Sequence, residues 1–416
     1  MKSHHHGQRP LLWPLLATTA IVSFFFFFFS SLRPPNPFLV LRPGLVGLQS
    51  VHDPPPLVHP QPQQSEQRLS CDLFKGHWVS EPRGPRMYTN WSCSSIPDSK
   101  NCFRHGRKDT GFLDWRWKPQ DCDLPRFDPV AFHNLLRGKK LAFIGDSVAR
   151  NHMDSLLCLL SQEETPQDVY KDIEDRFRTW YFPKSELTIM MLWSKFLVTG
   201  EERVVNGTGN GIFDLKFDKV DDAWAKHLPN MDYVIVSSAH WFFRVLYLHE
   251  GSHMIGCIYC HDKNIKNYDP DFALKMAIRA AFKHINDCKK CGKLVTILRT
   301  FSPAHFENGV WNTGGYCNRT GPSSVKEIDL ERYDWKVRKV QIEETKMARR
   351  EGMRRFEMID VTMSMMMRPD GHPNGFWGNQ WMKGYNDCVH WCLPGPIDAW
   401  NDFLMALVTQ HPDFDS

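Results

Sequence analysis

Side chains able to carry out acyl transfer lie far apart in this 416-residue chain. Gly145-Asp146-Ser147 offers a hydroxyl; Asp387-Cys388-Val389-His390 offers a carboxylate and an imidazole three residues apart. A serine hydroxyl is a poor nucleophile until a neighbouring base takes its proton. An imidazole serves as that base when a carboxylate sets its tautomer and stabilises the imidazolium. One short segment can therefore supply both the base and the group that orients it. The chemistry implied is acyl transfer through an acyl-serine intermediate, with Ser147 as nucleophile, His390 as general base and Asp387 behind it.

The elements around Ser147 suit that role. An apolar run, Leu141-Ala142-Phe143-Ile144, precedes the motif, and an amphipathic stretch from Val148 to Leu160 follows it. The pattern predicts strand, tight turn, helix. Gly145 and Asp146 form the turn and are themselves candidates for the oxyanion or substrate region, and Ser147 stands at the helix N-terminus, where its backbone N–H can stabilise a developing oxyanion. Arg150 and Asn151, on the first helical turn, are candidates for anchoring an acceptor or bracing the oxyanion region; structural pairing is the alternative for both. His240 ends another apolar run and competes with His390 as a base. Trp391 is a candidate for stacking on a sugar ring, and His305, in a loop after Ser302-Pro303, for a substrate contact. The motif lacks the second glycine of Gly-x-Ser-x-Gly, which excludes the lipase-type nucleophile elbow.

Apolar runs at about 140–145, 187–194, 233–238, 294–300 and 356–361 read as strands. Helical patterns alternate with them at about 147–161, 271–287, 330–350 and 397–409. Alternation of this kind predicts a three-layer α/β/α fold on a mostly parallel sheet. Ligands of such folds sit beyond the C-terminal strand ends. Ser147, His240 and Ser302 each follow a strand, so they should meet at one sheet edge. Residues 71–125 are rich in cysteine, tryptophan and turn residues without periodicity. They predict a disulfide-stapled lobe wrapped on a catalytic domain at 126–416. The run Met363–Met367 reads as gap-filling core.

Net charge is +4 with both signs interspersed, and no basic run or aromatic–basic ladder occurs, so no nucleic-acid partner is expected. Residues 11–32 are twenty-two nearly uncharged, largely apolar positions, enough to span a bilayer. We expect residues 1–10 to be a cytosolic tail, 11–32 an uncleaved signal anchor and 33–70, rich in Pro and Gln, an unpacked stem. All twelve cysteines follow residue 70, together with three sequons at Asn90, Asn206 and Asn318. That combination predicts an oxidising lumen and candidate glycosylation at the three asparagines. Cys257-x-x-Cys260 and Cys288-x-x-Cys291 have zinc-ribbon spacing, but a lumenal setting favours disulfides, and no metal is expected.

The order Ser…Asp…His, with the last two nearly adjacent, resembles the GDSL/SGNH esterase group. The likeness extends along residues 71–409 to the plant trichome birefringence-like family. It is carried by Cys71-Asp72-Leu73-Phe74-Lys75-Gly76-His77-Trp78-Val79, by Asn101-Cys102-Phe103-Arg104-His105-Gly106-Arg107, by Trp115-Arg116-Trp117-Lys118-Pro119, and by the run from Asp387 to Pro396. The resemblance implies a Golgi polysaccharide O-acetyltransferase, single-pass type II with its catalytic domain in the lumen. It points to the xyloglucan branch, with side-chain galactose as acceptor; mannan or xylan acetylation is the alternative. An acetyl esterase or a non-catalytic wall-polymer-binding protein are readings of another class. An acetyl donor is required, no bound cofactor is expected, and no Gly-rich loop identifies the donor. Ala239 stands where the family pattern has Gly before His240.

A catalytic Asp and His on one irregular segment need rigid support. We expect Cys388 and Cys392, which bracket the segment, to be tied to distant elements, as Cys317–Cys388 and Cys102–Cys392. The lobe would then close as Cys71–Cys122 and Cys93–Cys158. Cys257, Cys260, Cys288 and Cys291 remain for local bridges whose pairing the sequence leaves open.

Overall fold

A computed structural model of the chain describes residues 71–410, apart from Arg83, Met353 and residues 379–383. The expected tail, anchor and stem lie outside the described residues; among those described, no helix is long and apolar enough to cross a membrane. The lobe contributes strands β1 (Gly76–Ser80) and β2 (Trp115–Pro119). After it come β3 (Lys140–Gly145), β4 (Gln167–Lys171), β5 (Phe177–Phe182), β6 (Leu187–Trp193), β7 (Val198–Val205) and β8 (Thr208–Val220). The series ends with β9 (Tyr233–Ser237), β10 (Leu246–Glu250), β11 (His253–Ile258), β12 (Asn267–Tyr268), β13 (Val295–Arg299) and β14 (Arg355–Ile359).

The central sheet runs β14-β13-β9-β3-β6-β5-β4. It is parallel from β14 to β6 and antiparallel at β5 and β4. Strand β3, which leads to Ser147, lies mid-sheet and is buried on both faces. Its side chains alternate between two cores: Leu141 and Phe143 enter one, Ala142 and Ile144 the other. Helices Ser147–Leu160 and Ala399–Thr409 fill the first core together with Trp78, Tyr88 and Trp117 of the lobe. Helices Pro270–Asp287 and Asp334–Glu351 fill the second. This is the three-layer α/β/α arrangement with a mostly parallel sheet and an attached lobe.

Two features depart from the sequence reading. A second five-stranded sheet, β12-β11-β10-β8-β7, covers part of the second core. Its strands are half exposed and interrupted by glycines such as Gly200, Gly209 and Gly211, which breaks the apolar pattern. The helix Ser147–Leu160 is amphipathic in sequence yet buried on nearly every face; only Ser147 and Arg150 retain partial exposure. The lobe covers the side that would otherwise meet solvent, with Cys93 bonded to Cys158 on that helix.

Six disulfides are present and no described cysteine is free. Cys71–Cys122, Cys93–Cys158, Cys102–Cys392 and Cys317–Cys388 pair as the sequence reading expects. The positions left open close locally, Cys257–Cys260 and Cys288–Cys291. Met365, Met366 and Met367 are buried.

Candidate active site

Gly145 ends β3 with φ +152°, and a Cβ built there would lie 1.8 Å from the Ser237 carbonyl oxygen of β9. Only glycine lets the chain leave the sheet so close to its neighbour. Asp146 then caps the helix, its Oδ1 accepting from Val148 N–H at 3.0 Å. Burial would push this carboxyl up, but His240, Arg299 and the Val148 N–H outweigh it and hold Asp146 below its usual range. Arg299 is buried and donates to Ser237 Oγ at 2.7 Å, bracing β9 beside the turn. Ser147 follows as the first helical residue, partly exposed, with its N–H among the unsatisfied donors of a helix N-terminus.

The spacing of Asp387 and His390 has a local cause. Asp387 Oδ1 accepts from the backbone N–H of Val389 at 3.1 Å and of His390 at 3.0 Å. The carboxylate thus folds the following residues into a turn, which swings the ring three positions on back over it. His390 Nδ1–H donates to Asp387 Oδ2 at 2.9 Å. That leaves Nε2 unprotonated, and it accepts from the Ser147 hydroxyl at 2.8 Å. Asp387 lies well below the usual carboxylate range: burial opposes ionisation, but His390, Lys100 and the backbone donors prevail. His390 is lowered, chiefly by burial, with Lys100 and His240 adding to the effect and Asp387 opposing it. The ring is therefore neutral at neutral pH, as a general base must be.

The segment carrying both residues is pinned on all sides. Asp387 and Asn374 exchange backbone hydrogen bonds at 2.8 and 2.9 Å, and His305 N–H donates to Cys388 O at 3.1 Å. His372 Nδ1–H donates to His390 O at 2.7 Å. Disulfides hold Cys388 and Cys392.

The remaining candidates fall into place around this chain. His240 is engaged elsewhere: its Nε2–H donates to Ser302 O at 3.1 Å and its Nδ1 lies 3.7 Å from Asp146. It stands at the sheet edge beside the turn, and His390 is the histidine on the hydroxyl. Four expectations need correction. Trp391 is fully buried, stacked on His372 at 4.1 Å and donating to Ser302 Oγ at 2.9 Å, so it cannot stack on a sugar. Asn151 is also fully buried; its Oδ1 accepts from Trp391 N–H at 2.8 Å, which ties the nucleophile helix to the histidine segment and leaves nothing for an acceptor. Arg150 takes up structural pairing instead, bonded to the Asp175 carbonyl and 3.4 Å from its carboxylate. His305 is likewise buried, held by His372 and Met366, and is no substrate contact. Sequence reasoning missed Lys100, Arg299 and His372, whose partners lie too far along the chain for spacing to signal them. The sequon residues Asn206 and Asn318 are exposed and Asn90 is half-buried. No group of three or more metal-ligating side chains occurs among the described residues.

A serine at a strand–helix turn, hydrogen-bonded to a histidine that a buried aspartate orients, defines a serine-dependent acyl-transfer fold of the SGNH kind. The chain belongs to the PC-Esterase family, the GDSL/SGNH-like acyl-esterase family found in Pmr5 and Cas1p, which it matches over residues 124–407. Residues 69–123 match the PMR5 N-terminal domain. "Xyloglucan O-acetyltransferase 3" of Populus trichocarpa is 61% identical over 351 residues, 84% of this chain and 88% of the relative. "Xyloglucan O-acetyltransferase 2" of Arabidopsis thaliana is 59% identical over 344 residues, 82% of this chain and 83% of the relative. "Protein trichome birefringence-like 20" of Arabidopsis thaliana is 42% identical over 348 residues, 82% and 72% of the two chains.

Proposed function

We propose that this protein transfers acetyl groups to hydroxyls of a plant cell-wall hemicellulose, xyloglucan first and its side-chain galactose in particular, through an acetyl-Ser147 intermediate. The observation that carries the reading is the hydrogen-bonded line Ser147–His390–Asp387 in a chain 59–61% identical to proteins named xyloglucan O-acetyltransferases.

The chemistry runs in two halves. Ser147 Oγ attacks the acetyl carbonyl while its proton passes to His390 Nε2. The oxyanion takes the Ser147 N–H, aided by the helix N-terminus. Collapse expels the donor's leaving group, which takes the proton from His390. In the second half the sugar hydroxyl gives its proton to His390 and attacks the acetyl-serine, and His390 returns a proton to Ser147 Oγ as the serine leaves. Asp387 stays ionised throughout and stabilises the imidazolium.

Six disulfides support placing this reaction in an oxidising compartment. The location we propose is the Golgi lumen, with residues 11–32 as a type II anchor and glycans on exposed sequons. Alkaline extraction and glycosidase digestion of the full chain test both. The decisive experiment for the chemistry offers labelled acetyl, as acetyl-CoA or 4-nitrophenyl acetate, with deacetylated xyloglucan, glucomannan and xylan. Label should appear on xyloglucan fastest and on Ser147 by mass spectrometry, and Ser147→Ala should abolish both. Label released only into water would make the protein an esterase. Faster transfer to glucomannan or xylan would move the acceptor and leave the mechanism standing.

A further inference from the structure

We infer that Lys100, from the N-terminal lobe, is a positioning residue for the Asp387–His390 pair, so that the lobe completes the acid–base machinery; this rests on the acyl-transfer reading above. Lys100 ends a short turn, Asp98–Lys100, and its Nζ lies 3.4 Å from Asp387 Oδ2. Both side chains are sealed from solvent, Lys100 to 10% exposure and Asp387 to none. Both oxygens of Asp387 face the His390 ring nitrogen, Oδ2 at 2.9 Å and Oδ1 at 3.1 Å. Oδ1 also holds the backbone N–H groups of Val389 and His390, and Oδ2 has Lys100 on its other side. A buried carboxylate needs such partners to stay ionised. Lys100 is the cationic side chain within ion-pair distance of it among the described residues.

The lobe holds this ammonium in place by two further links. Leu393 N–H donates to Lys100 O at 2.9 Å, and Cys102, two residues on, is bonded to Cys392. The chain at and just after the contact is thus fastened to the catalytic segment itself, so a movement of the lobe would carry the charge off Asp387. A lysine placed only to fill space would not need its backbone, its neighbour and its side chain all fixed to residues 387–393.

The charge count gives a signature that packing alone would not. Lys100 and Asp387 together are neutral, so protonation of His390 leaves one net positive charge. Without Lys100 the same step runs from one negative charge to none and is easier. The other titratable groups facing this assembly are His240, which acts on His390, His372, lowered by burial to about 4 and donating to His390 O, and Asp154, pushed up by burial to about 7 and drawn down by Lys100, so loss of Lys100 also favours its neutral form. Removal of Lys100 should therefore raise the pH at which His390 becomes a base.

The test measures initial rates against pH, with 4-nitrophenyl acetate as donor and deacetylated xyloglucan oligosaccharides as acceptor. Wild type, Lys100→Met and Lys100→Arg are compared on the full chain. In Lys100→Met the acid-side inflection should rise by about one pH unit and kcat on the acid limb fall by up to about 10-fold, with the acceptor KM little changed. Lys100→Arg, which keeps the charge, should return the inflection to its wild-type position. Should Met loosen the lobe, as thermal melting would reveal, Lys100→Gln removes the charge while keeping a donor and reads the same shift. An inflection that stays put in the uncharged variants, or equal losses in Met and Arg, would overturn the inference. Ser147→Ala run in parallel separates the two levels: residual transfer there sinks the acetyl-serine reading, whereas a dead Ser147→Ala with an unmoved Lys100→Met profile sinks this inference alone.

Discussion

Gly145→Ala should damage the rate more than its size suggests. The added methyl would lie 1.8 Å from Ser237 O, 2.9 Å from Ser237 C and 3.1 Å from Ala149 Cβ, whereas real Cβ atoms essentially never come within 3.0 Å of another atom. Something must move by more than 1 Å. Strand β9 resists, since Ser237 is paired with Gly145 in the sheet and its Oγ is held by Arg299. The free end is the turn itself, so the strain is released by pushing Asp146 and Ser147 away from His390. A misplacement of that order costs roughly 100-fold in rate. A positive φ unsuited to alanine and the overpacking together cost about 2–5 kcal/mol of stability, a fall of roughly 5–15 °C in thermal midpoint. Gly207→Ala is the control. Gly207 also has positive φ, +79°, but meets nothing within 4 Å, so it should lose stability without losing rate. Initial transfer rates and thermal melting of both variants settle the point. A Gly145→Ala enzyme with wild-type rate would refute the claim that this glycine sets the position of Ser147.

Asp387→Asn should lower kcat by about 10³-fold or more, because an amide no longer selects the His390 tautomer or stabilises the imidazolium. Its residual activity should extend to lower pH, since Asp387 raises the His390 pKa, which is the opposite direction from Lys100→Met; rate–pH profiles read both. The wild-type acid limb should itself lie below pH 6.5, the ordinary histidine value, because burial lowers His390. Asp402, half-buried and accepting from Phe127 N–H at 2.8 Å, is pushed up by desolvation to about 7. Its folded pKa exceeds its unfolded one, so the penalty for its charge is absent at low pH, grows as pH rises from about 4 to 7, and is full above that. Asp402→Asn should therefore gain about 1–3 kcal/mol over wild type near pH 8 and almost nothing near pH 4, as melting at the two pH values will read.

What the sequence made legible was local or carried by residue type. Leu141 to Ile144 announces a central strand because parallel strands are apolar on both faces. Asp387 and His390 announce each other because one carboxylate must reach two backbone N–H groups and a ring within three residues. That Cys388 and Cys392 tie to distant elements was legible because an irregular catalytic segment must be held from outside, although spacing alone does not select Cys317 and Cys102 as their partners. What escaped depends on partners far along the chain. Trp391 beside a catalytic histidine reads equally well as a sugar platform or as core. His372, Ser302 and Asn151 decide for core, and none is near it in sequence. Lys100 escaped because its partner is 287 residues away. The second sheet escaped because its strands pack one face only and glycine breaks their alternation.

Nucleophile and base are made rigid by different means, and the difference bears on the transfer. Ser147 is fixed by the central sheet and by a helix buried almost all round. Asp387 and His390 sit on a segment without regular structure, so their rigidity comes from outside: two disulfides, the backbone clamps of His305, His372 and Asn374, and Lys100. The bonds Cys102–Cys392 and Cys317–Cys388 close separations of 290 and 71 residues, and each should contribute roughly 2–4 kcal/mol. Cys102–Cys392 and Lys100 both come from the lobe, and the core of the lobe is continuous with that of the nucleophile helix through Trp78, Tyr88 and Trp117. The lobe is thus no detachable accessory that only offers an acceptor surface. Loss of its grip would leave the sheet and Ser147 standing while the base drifts. Mild reduction should accordingly abolish transfer at a reductant concentration where the circular dichroism of the sheet is unchanged. Parallel loss of activity and secondary structure would show instead that lobe and sheet stand or fall as one unit.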